Sequence, residues 1–463
     1  MYRIDNVGDL YEAIKHLIEA SKHLEADKLI LSNTLLETAN SVLEEIENSA
    51  IECDQDKIDQ LARQILKKRQ RDIMIFEKDY NHICHNRNPI SSYTIEFTTT
   101  NACNWRCDYC FEDGCDRSTM IDNVKIPTLI RKTKEFLNSE FFHQNLQVLK
   151  IDFWGGEPFM NPEPVKRFIE EFMHDERVVF HAYTNGSMID PLLDIFQEAS
   201  IQPSINNQKI LIQFSYDGAP IHNLRRKDKH GRATGEKTIQ QAMKTANMGI
   251  PVSFKATLMI KDFDQFTDAW DDYHNRIFPL FKDYGHITYS PTIDYTQDYN
   301  EVDLRKDVLE KQLVDIASKE IEFYKKEGRF LLSWFSSGSS LCTAGRNMTC
   351  VDTNGDLYYC HGAMYESNKA DFIFGNIYNH GFVNKLVSNY NKFFECNQST
   401  PDECAKCVAD SCYRCNVQKY QSSQKSEFME KWMDFTCMKE MCNYFKLIGE
   451  IKFALMKNLT EDI

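Results

Sequence analysis

Three thiols within eight residues set the chemistry open to this sequence. In Cys103-Asn104-Trp105-Arg106-Cys107-Asp108-Tyr109-Cys110 the spacing is x3 then x2, so one tight loop can bring three thiolates to a single iron-sulfur cluster. Thiolates are the soft ligands of such clusters, and a four-iron cluster ordinarily takes four of them. Three ligands leave one iron open to a small molecule. Short cysteine spacing also supports a zinc knuckle or plain core thiols.

The elements around the loop tell where those thiols stand. Residues 6 to 78 keep helical stripes, such as Leu35, Leu36, Ala39, Val42, Leu43 and Ile46, and carry no evident chemistry. From residue 93 the pattern changes to strands alternating with helices, which predicts a parallel sheet with crossover helices. The predicted strands are Tyr93 to Thr98, Gln147 to Phe153, Val178 to Tyr183, Ile210 to Ser215, Val252 to Met259 and Ile287 to Ser290. Helices are predicted between them, then over about 302 to 327 and 438 to 457. In parallel barrels and open sheets, chemistry collects where strand C-termini feed their loops. The cysteine loop follows the first strand, and the second strand runs into Trp154-Gly155-Gly156-Glu157-Pro158. Paired glycines let a backbone approach a ligand closely, and a glutamate supplies a charged acceptor for an ammonium.

Cys-x3-Cys-x2-Cys with its aromatic-rich turn around Tyr109, one strand before Gly-Gly-Glu-Pro, resembles the radical S-adenosylmethionine (radical SAM) superfamily. The resemblance covers about residues 90 to 440 and implies an α/β fold, a partial (β/α)6 TIM-type barrel. It implies that Cys103, Cys107 and Cys110 hold a 4Fe-4S cluster whose open iron chelates SAM, with Tyr109, Gly155, Gly156, Glu157 and Pro158 around the cofactor. The third strand ends in Thr184-Asn185-Gly186 and the fourth in Ser215-Tyr216-Asp217-Gly218. At matching positions the family holds the ribose and the methionine carboxylate, so Asn185, Ser215 and Asp217 join the expected SAM contacts. Taken singly, each is an ordinary strand-end turn. Arg225 is expected to bind the carboxylate of SAM, because a guanidinium pairs with it bidentately. Arg226 belongs to the charged run Arg-Arg-Lys-Asp-Lys-His-Gly-Arg, read as a solvated loop over the barrel mouth. Lys255 on the fifth strand is left unassigned.

The chain has 16 cysteines, none of them between 116 and 341. The last third carries Cys342, Cys350, Cys360, Cys404, Cys407, Cys412, Cys415 and Cys437. Eight thiols are enough for two fully ligated four-iron clusters. Their order resembles the SPASM extension of radical SAM peptide maturases. That resemblance assigns Cys342, Cys350, Cys360 and Cys415 to one auxiliary cluster and Cys404, Cys407, Cys412 and Cys437 to the other. The middle group departs from the family, being spaced x2, x4, x2 where x2, x5, x3 is usual, so the partition stays open. A four-thiolate zinc knuckle on the two Cys-x2-Cys pairs is the alternative. Cys53, Cys84, Cys115, Cys396 and Cys442 are read as core or surface thiols.

The expected division is a helical extension over 1–90, a radical SAM core over 91–300, a linker helix over 301–335, a SPASM domain over 336–440, and a C-terminal helix and tail over 441–463. A net charge of -15, from 69 acidic and 54 basic residues, argues against a nucleic-acid partner, since phosphate-backbone binding needs excess Lys and Arg. No run approaches the ~18 apolar residues of a membrane span, and no signal peptide is evident. The expectation is a cytoplasmic protein without a membrane partner.

By resemblance, the function is reductive cleavage of SAM to a 5'-deoxyadenosyl radical and modification of a ribosomally made peptide by a thioether or carbon-carbon crosslink. Three 4Fe-4S clusters, SAM, a precursor peptide and a one-electron donor such as flavodoxin or ferredoxin are implied. An anaerobic sulfatase-type formylglycine maturase is one alternative. That branch starts its barrel close to the N-terminus and places an acidic residue after the third auxiliary cysteine, where this chain has His361. His361 is therefore the expected catalytic base, with a hydrogen bond to a cluster sulfur as its structural alternative. A non-catalytic iron-sulfur scaffold or electron carrier is the remaining reading.

Overall fold

In the computed structural model of the protein, residues 92–112, 115–293, 304–336, 344–345, 347–365, 369–396, 409 and 439–461 are described. Their strands are β1 (Ser92–Thr100), β2 (Trp105–Cys107), β3 (Val148–Gly155), β4 (Val178–Thr184), β5 (Ile210–Ser215), β6 (Arg226–Asp228), β7 (Val252–Leu258), β8 (Pro291–Ile293), β9 (Met348–Val351), β10 (Asp356–Tyr358) and β11 (Ile373–Asn376). Nine of them form one sheet in the order β11-β10-β9-β1-β3-β4-β5-β7-β8. From β1 to β8 every pairing is parallel, as strands joined by crossover helices must be.

Alternation along each strand explains the layering. On β1, Phe97 packs against Phe168 of the helix α1 (Pro162–Phe172), while its neighbour Glu96 turns to the opposite face and meets His361. On β3, Phe153 goes to the helices and Asp152 to Tyr183 on the inner face. Further helices α2 (Leu193–Ser200), α3 (Gly235–Asn247) and α4 (Phe266–Asp272) follow β4, β6 and β7. Prolines at the first turn of α1 start it where a missing N–H costs nothing. The long helix α5 (Lys306–Glu327) ends at Gly328 in a left-handed cap (φ 67°) and packs on the C-terminal helix α6 (Lys439–Glu461).

The α/β fold and parallel barrel agree with the expectation, with one shift. The sixth strand is Pro291–Ile293 rather than Ile287 to Ser290, because Tyr289 bridges to Leu332 and pairing with β7 begins only at the proline. On the other flank, β9 pairs in parallel with β1 and is followed by antiparallel β10 and β11. The sheet therefore runs across the expected boundary at residue 336. The expected helices of 1–90 lie outside the described residues, as do Cys342, Cys404, Cys407, Cys412, Cys415 and Cys437.

Candidate functional site

A cavity of about 320 Å³ opens at the C-terminal ends of the barrel strands. Cys103, Cys107 and Cys110 line it from one side, together with Tyr109. The loop that carries them is pinned by a short antiparallel ribbon, in which Trp105, Arg106 and Cys107 pair with Asp228, Lys227 and Arg226. Asp217 anchors that ribbon from below. It is fully buried and accepts from Arg226 Nε and Nη2 at 2.7 and 3.0 Å, from Tyr109 Oη at 2.5 Å and from the Thr257 amide at 2.8 Å. Burial pushes the Asp217 carboxyl up, but the Arg226 guanidinium outweighs it and the pKa ends below the usual value. The Arg226 guanidinium also lies 5.1 Å from the centre of the Tyr109 ring.

Burial is the main cause that raises all three thiols, Cys103 and Cys110 to about 12; Cys103 is raised further by Glu157, Cys107 and Cys110, and Cys110 by Glu112 and Cys107. Half-buried, cavity-facing thiols that suppress one another's ionisation are a donor set that a soft cation stabilises, because the cation supplies the missing positive charge. The residues present fit an iron-sulfur cluster on the loop.

Gly155 and Gly156 form the adjoining wall. A Cβ on Gly155 (φ 137°) would lie 2.1 Å from the Thr100 oxygen, and one on Gly156 2.5 Å from the Ala102 oxygen. No side chain fits there. The glycines let the end of β3 close on the start of the cysteine loop, through Gly156 N–H to Thr100 O (3.0 Å) and Glu157 N–H to Ala102 O (2.8 Å). The Glu157 carboxylate does not border the cavity. It is buried and accepts from Thr184 Oγ1 (2.7 Å), the Asn185 amide (2.8 Å) and the Phe159 amide (3.3 Å), with its pKa raised to about 7 by burial. Pro158, also buried, accepts from Thr99 Oγ1 at 2.8 Å.

Asn185 and Ser215 do line the cavity, and Asn185 Nδ2 donates to Asn104 Oδ1 of the cysteine loop at 3.0 Å. Arg225 is placed elsewhere. Its guanidinium is engaged by Asp262, through Nε at 3.0 Å and Nη2 at 2.5 Å, and by Asp108 at 3.1 Å, and it does not border the cavity. The two arginines exchange parts: Arg226, expected in a solvated loop, is buried at the cavity wall. Neighbouring residues at a helix-to-strand junction project in different directions, and the sequence alone does not say which faces inward.

The far side of the cavity carries His361, the expected base, held by carboxylates that sequence reasoning left out. His361 stacks on Trp154 (4.2 Å, 11°) and donates from Nδ1 to Glu96 at 3.1 Å. The Cys350 thiol donates to the same carboxylate at 3.0 Å, so Glu96, Cys350 and His361 bring three ligand atoms within 4.8 Å of one another. Burial opposes a proton on His361, but the Glu96 carboxylate, by charge and hydrogen bond, and the more distant Glu112 and Asp152 outweigh it and raise the pKa. Asp152 is itself pushed up to about 7 by burial and by Glu96, and Glu112, bonded to Trp154 Nε1 at 3.0 Å, is pushed to about 7 by burial. Cys360 precedes His361 and is half-buried. The signal for Glu96 and Asp152 was present in the sequence. Each is a charge on the face of a strand opposite its large apolar residues.

No family model matches the chain. It is similar to the solved structure of a His-tagged anSMEcpe with bound AdoMet, with a TM-score of 0.60 at 17% identity over 80% of this chain and 95% of that one. A second structure, native anSMEcpe with AdoMet and the Cp18Cys peptide, gives a TM-score of 0.58 at 18% identity over 80% and 99%. The fold is that of anSMEcpe. Among curated proteins, the chain is 24% identical over 205 residues to an S-adenosylmethionine-dependent nucleotide dehydratase of Psychrobacter lutiphocae, covering 42% of this chain. It is 21% identical over 193 residues to the radical SAM cyclopropyl synthase TigE of Paramaledivibacter caminithermalis, covering 39%. The chain spans 65% and 38% of the lengths of these two relatives. The cysteine loop, the Gly155-Gly156 wall and His361, which Glu96 holds from behind, thus border one cavity at the barrel mouth. Among the described residues, no helix is long and apolar enough to cross a membrane.

Proposed function

We propose that the chain is a radical SAM peptide maturase that modifies a ribosomally made peptide by a thioether or carbon-carbon crosslink. The supporting observation is that three mutually coupled thiols, a glycine-built wall and an imidazole held by a buried carboxylate all border one cavity. Cys103, Cys107 and Cys110 would hold a 4Fe-4S cluster, which supplies the one-electron reduction that cleaves SAM to a 5'-deoxyadenosyl radical. Tyr109, Gly155, Gly156, Asn185 and Ser215 border the SAM site; Glu157, Pro158 and Asp217 hold its walls in place, and Arg226 takes the position given to Arg225 by the sequence. Cys350 and Cys360, with Cys342 and Cys415, are proposed for one auxiliary cluster, and Cys404, Cys407, Cys412 and Cys437 for a second. The division into a helical extension, a core, a linker helix and a SPASM domain is part of the same reading, as are an external one-electron donor and a cytoplasmic location. His361 is assigned as proton acceptor, with Glu96 fixing the proton on Nδ1 and leaving Nε2 free for substrate.

A formylglycine maturase is the second reading. It is favoured by Glu96, which brings a carboxylate to the place beside Cys360 where that branch has an acidic residue. Anaerobic reconstitution tests the whole reading. Full-length protein should hold about 12 iron atoms, and the Cys103→Ala/Cys107→Ala/Cys110→Ala variant about four fewer, with loss of 5'-deoxyadenosine release. Iron content unchanged by the triple substitution would reject the cluster assignment. Product mass then separates the two readings, since a crosslink and an aldehyde differ.

A further inference from the structure

The charged lining of the cavity is compensated on every side but one. Arg226 is held by Asp217, His361 by Glu96, and Glu112 accepts from Trp154. Lys255, on β7, borders the same cavity with no carboxylate within ion-pair distance among the described residues. Among the described residues, the one hydrogen bond of its ammonium is a long 3.4 Å contact from Nζ to Ser290 Oγ. Burial draws its pKa down, to about 8, with no contribution from a neighbouring charge among the described residues. An ammonium desolvated this far without a counter-charge is unfavourable, and an anion entering the cavity removes the penalty.

We propose that Lys255 is the anchoring residue for a carboxylate of the substrate, an Asp or Glu side chain in the peptide. This rests on the peptide-maturase reading for the source of the carboxylate, but not for the anion site itself. The neighbours of Lys255 on the inner face are neutral hydrogen-bonding groups: Gln213 and Ser215 on β5, Thr257 on β7 and Thr292 on β8. One lysine with neutral companions matches a monoanion. A phosphate group, carrying nearly two charges, calls for more cations than the cavity supplies. Ser215 stands directly opposite Lys255 in the β5–β7 register and also borders the SAM site, so a carboxylate held at Lys255 would place the substrate beside the cofactor.

The test uses the full-length, reconstituted, SAM-loaded protein and reads the fluorescence of Trp105 and Trp154, which line the cavity. The α-amides of N-acetylglutamate and N-acetylglutamine, which differ only in a side-chain carboxylate against a side-chain amide, are titrated against wild type and Lys255→Met. The acid should bind wild type at least ten-fold more tightly than the amide, a preference that Lys255→Met abolishes while its SAM affinity stays within two-fold. Equal binding of acid and amide to wild type would overturn the proposal. So would an undiminished acid preference in Lys255→Met, or a ten-fold loss of SAM affinity, which would assign the lysine to the cofactor. Selection from a random peptide library then addresses the source: enrichment of Asp or Glu supports a peptide carboxylate, and an acid preference with no selected peptide counts against the peptide reading alone.

Discussion

Glu96 and Cys350 stand opposite one another in the parallel register of β1 and β9, and the Cys350 thiol donates to Glu96 Oε1 at 3.0 Å. A residue from the first barrel strand and one from the cysteine-bearing C-terminal segment thus share a buried hydrogen bond. Through Glu96, which also accepts from His361, the two regions meet at the cavity wall as one unit.

Substituting Glu96 should therefore mimic substituting His361. With a cognate peptide, His361→Gln and Glu96→Gln are both expected to keep releasing 5'-deoxyadenosine while crosslinked product falls by about 10²-fold or more, the range for loss of a positioned base. Product formed at the wild-type rate by His361→Gln would remove the base assignment.

The glycine wall predicts a steep, position-specific stability cost. Gly155→Ala drives a Cβ against a backbone oxygen at 2.1 Å, whereas Gly231 (φ 77°) has open space around it. Denaturant unfolding should give a loss of about 2 kcal/mol or more for Gly155→Ala, against roughly 1 kcal/mol for Gly231→Ala, where only the left-handed conformation is strained. Equal losses would show that contact with Thr100 is not what selects glycine.

Glu157 braces the ends of β3 and β4, so Glu157→Ala leaves three buried donors without their acceptor. A loss of about 1–3 kcal/mol is expected, together with weaker SAM binding, because Asn185 on the cavity wall is one of those donors. Thermal melts and a SAM titration on iron-replete protein read the two effects. Unchanged stability with lost SAM affinity would instead favour direct contact between the carboxylate and the cofactor.

Stability should fall as pH rises toward 8. Glu320 on α5, which accepts from Trp270 Nε1 and the amides of Leu331 and Leu332, is raised to about 7 chiefly by burial. The unfolded chain releases this proton near pH 4.5 and the folded one near 7. Stability from this group is fully present below about 4.5 and is lost as pH passes through 7, on the order of 3 kcal/mol. In cluster-free protein, Glu320→Gln should flatten the slope of stability between pH 5 and 8, even though it lowers the overall value by mispairing with the Leu331 amide. A slope unaltered by the substitution would mean that Glu320 is already ionised at pH 5.

The barrel was legible because its strands alternate or run continuously apolar. Ile210–Ser215 was placed without error, and the cysteine loop and Gly155-Gly156 fell at strand ends as the parallel-sheet rule requires. What escaped has physical reasons. The β2–β6 ribbon is three residues long on each side, too short for any periodicity, and it is what buries Arg226 instead of Arg225. The predicted sixth strand stops at Ser290, yet Pro291 opens the observed one, as a proline can where its missing N–H is not needed. Lys255 could not be assigned because whether a strand lysine faces solvent or a cavity depends on what closes the barrel around it.

The first barrel strand, β1, has a partner on each side, β3 within the barrel and β9 from far along the chain. Its outer partner includes Cys350, 254 residues after Glu96. On a translating ribosome, at roughly 5–20 residues per second, β1 therefore waits on the order of 13–50 s with its outer row of N–H and C=O groups unpaired. Unpaired strand edges are templates for association between chains. Nascent copies truncated before residue 348 expose that edge permanently, so the yield of soluble protein depends on completing the very segment that also delivers His361 to the cavity.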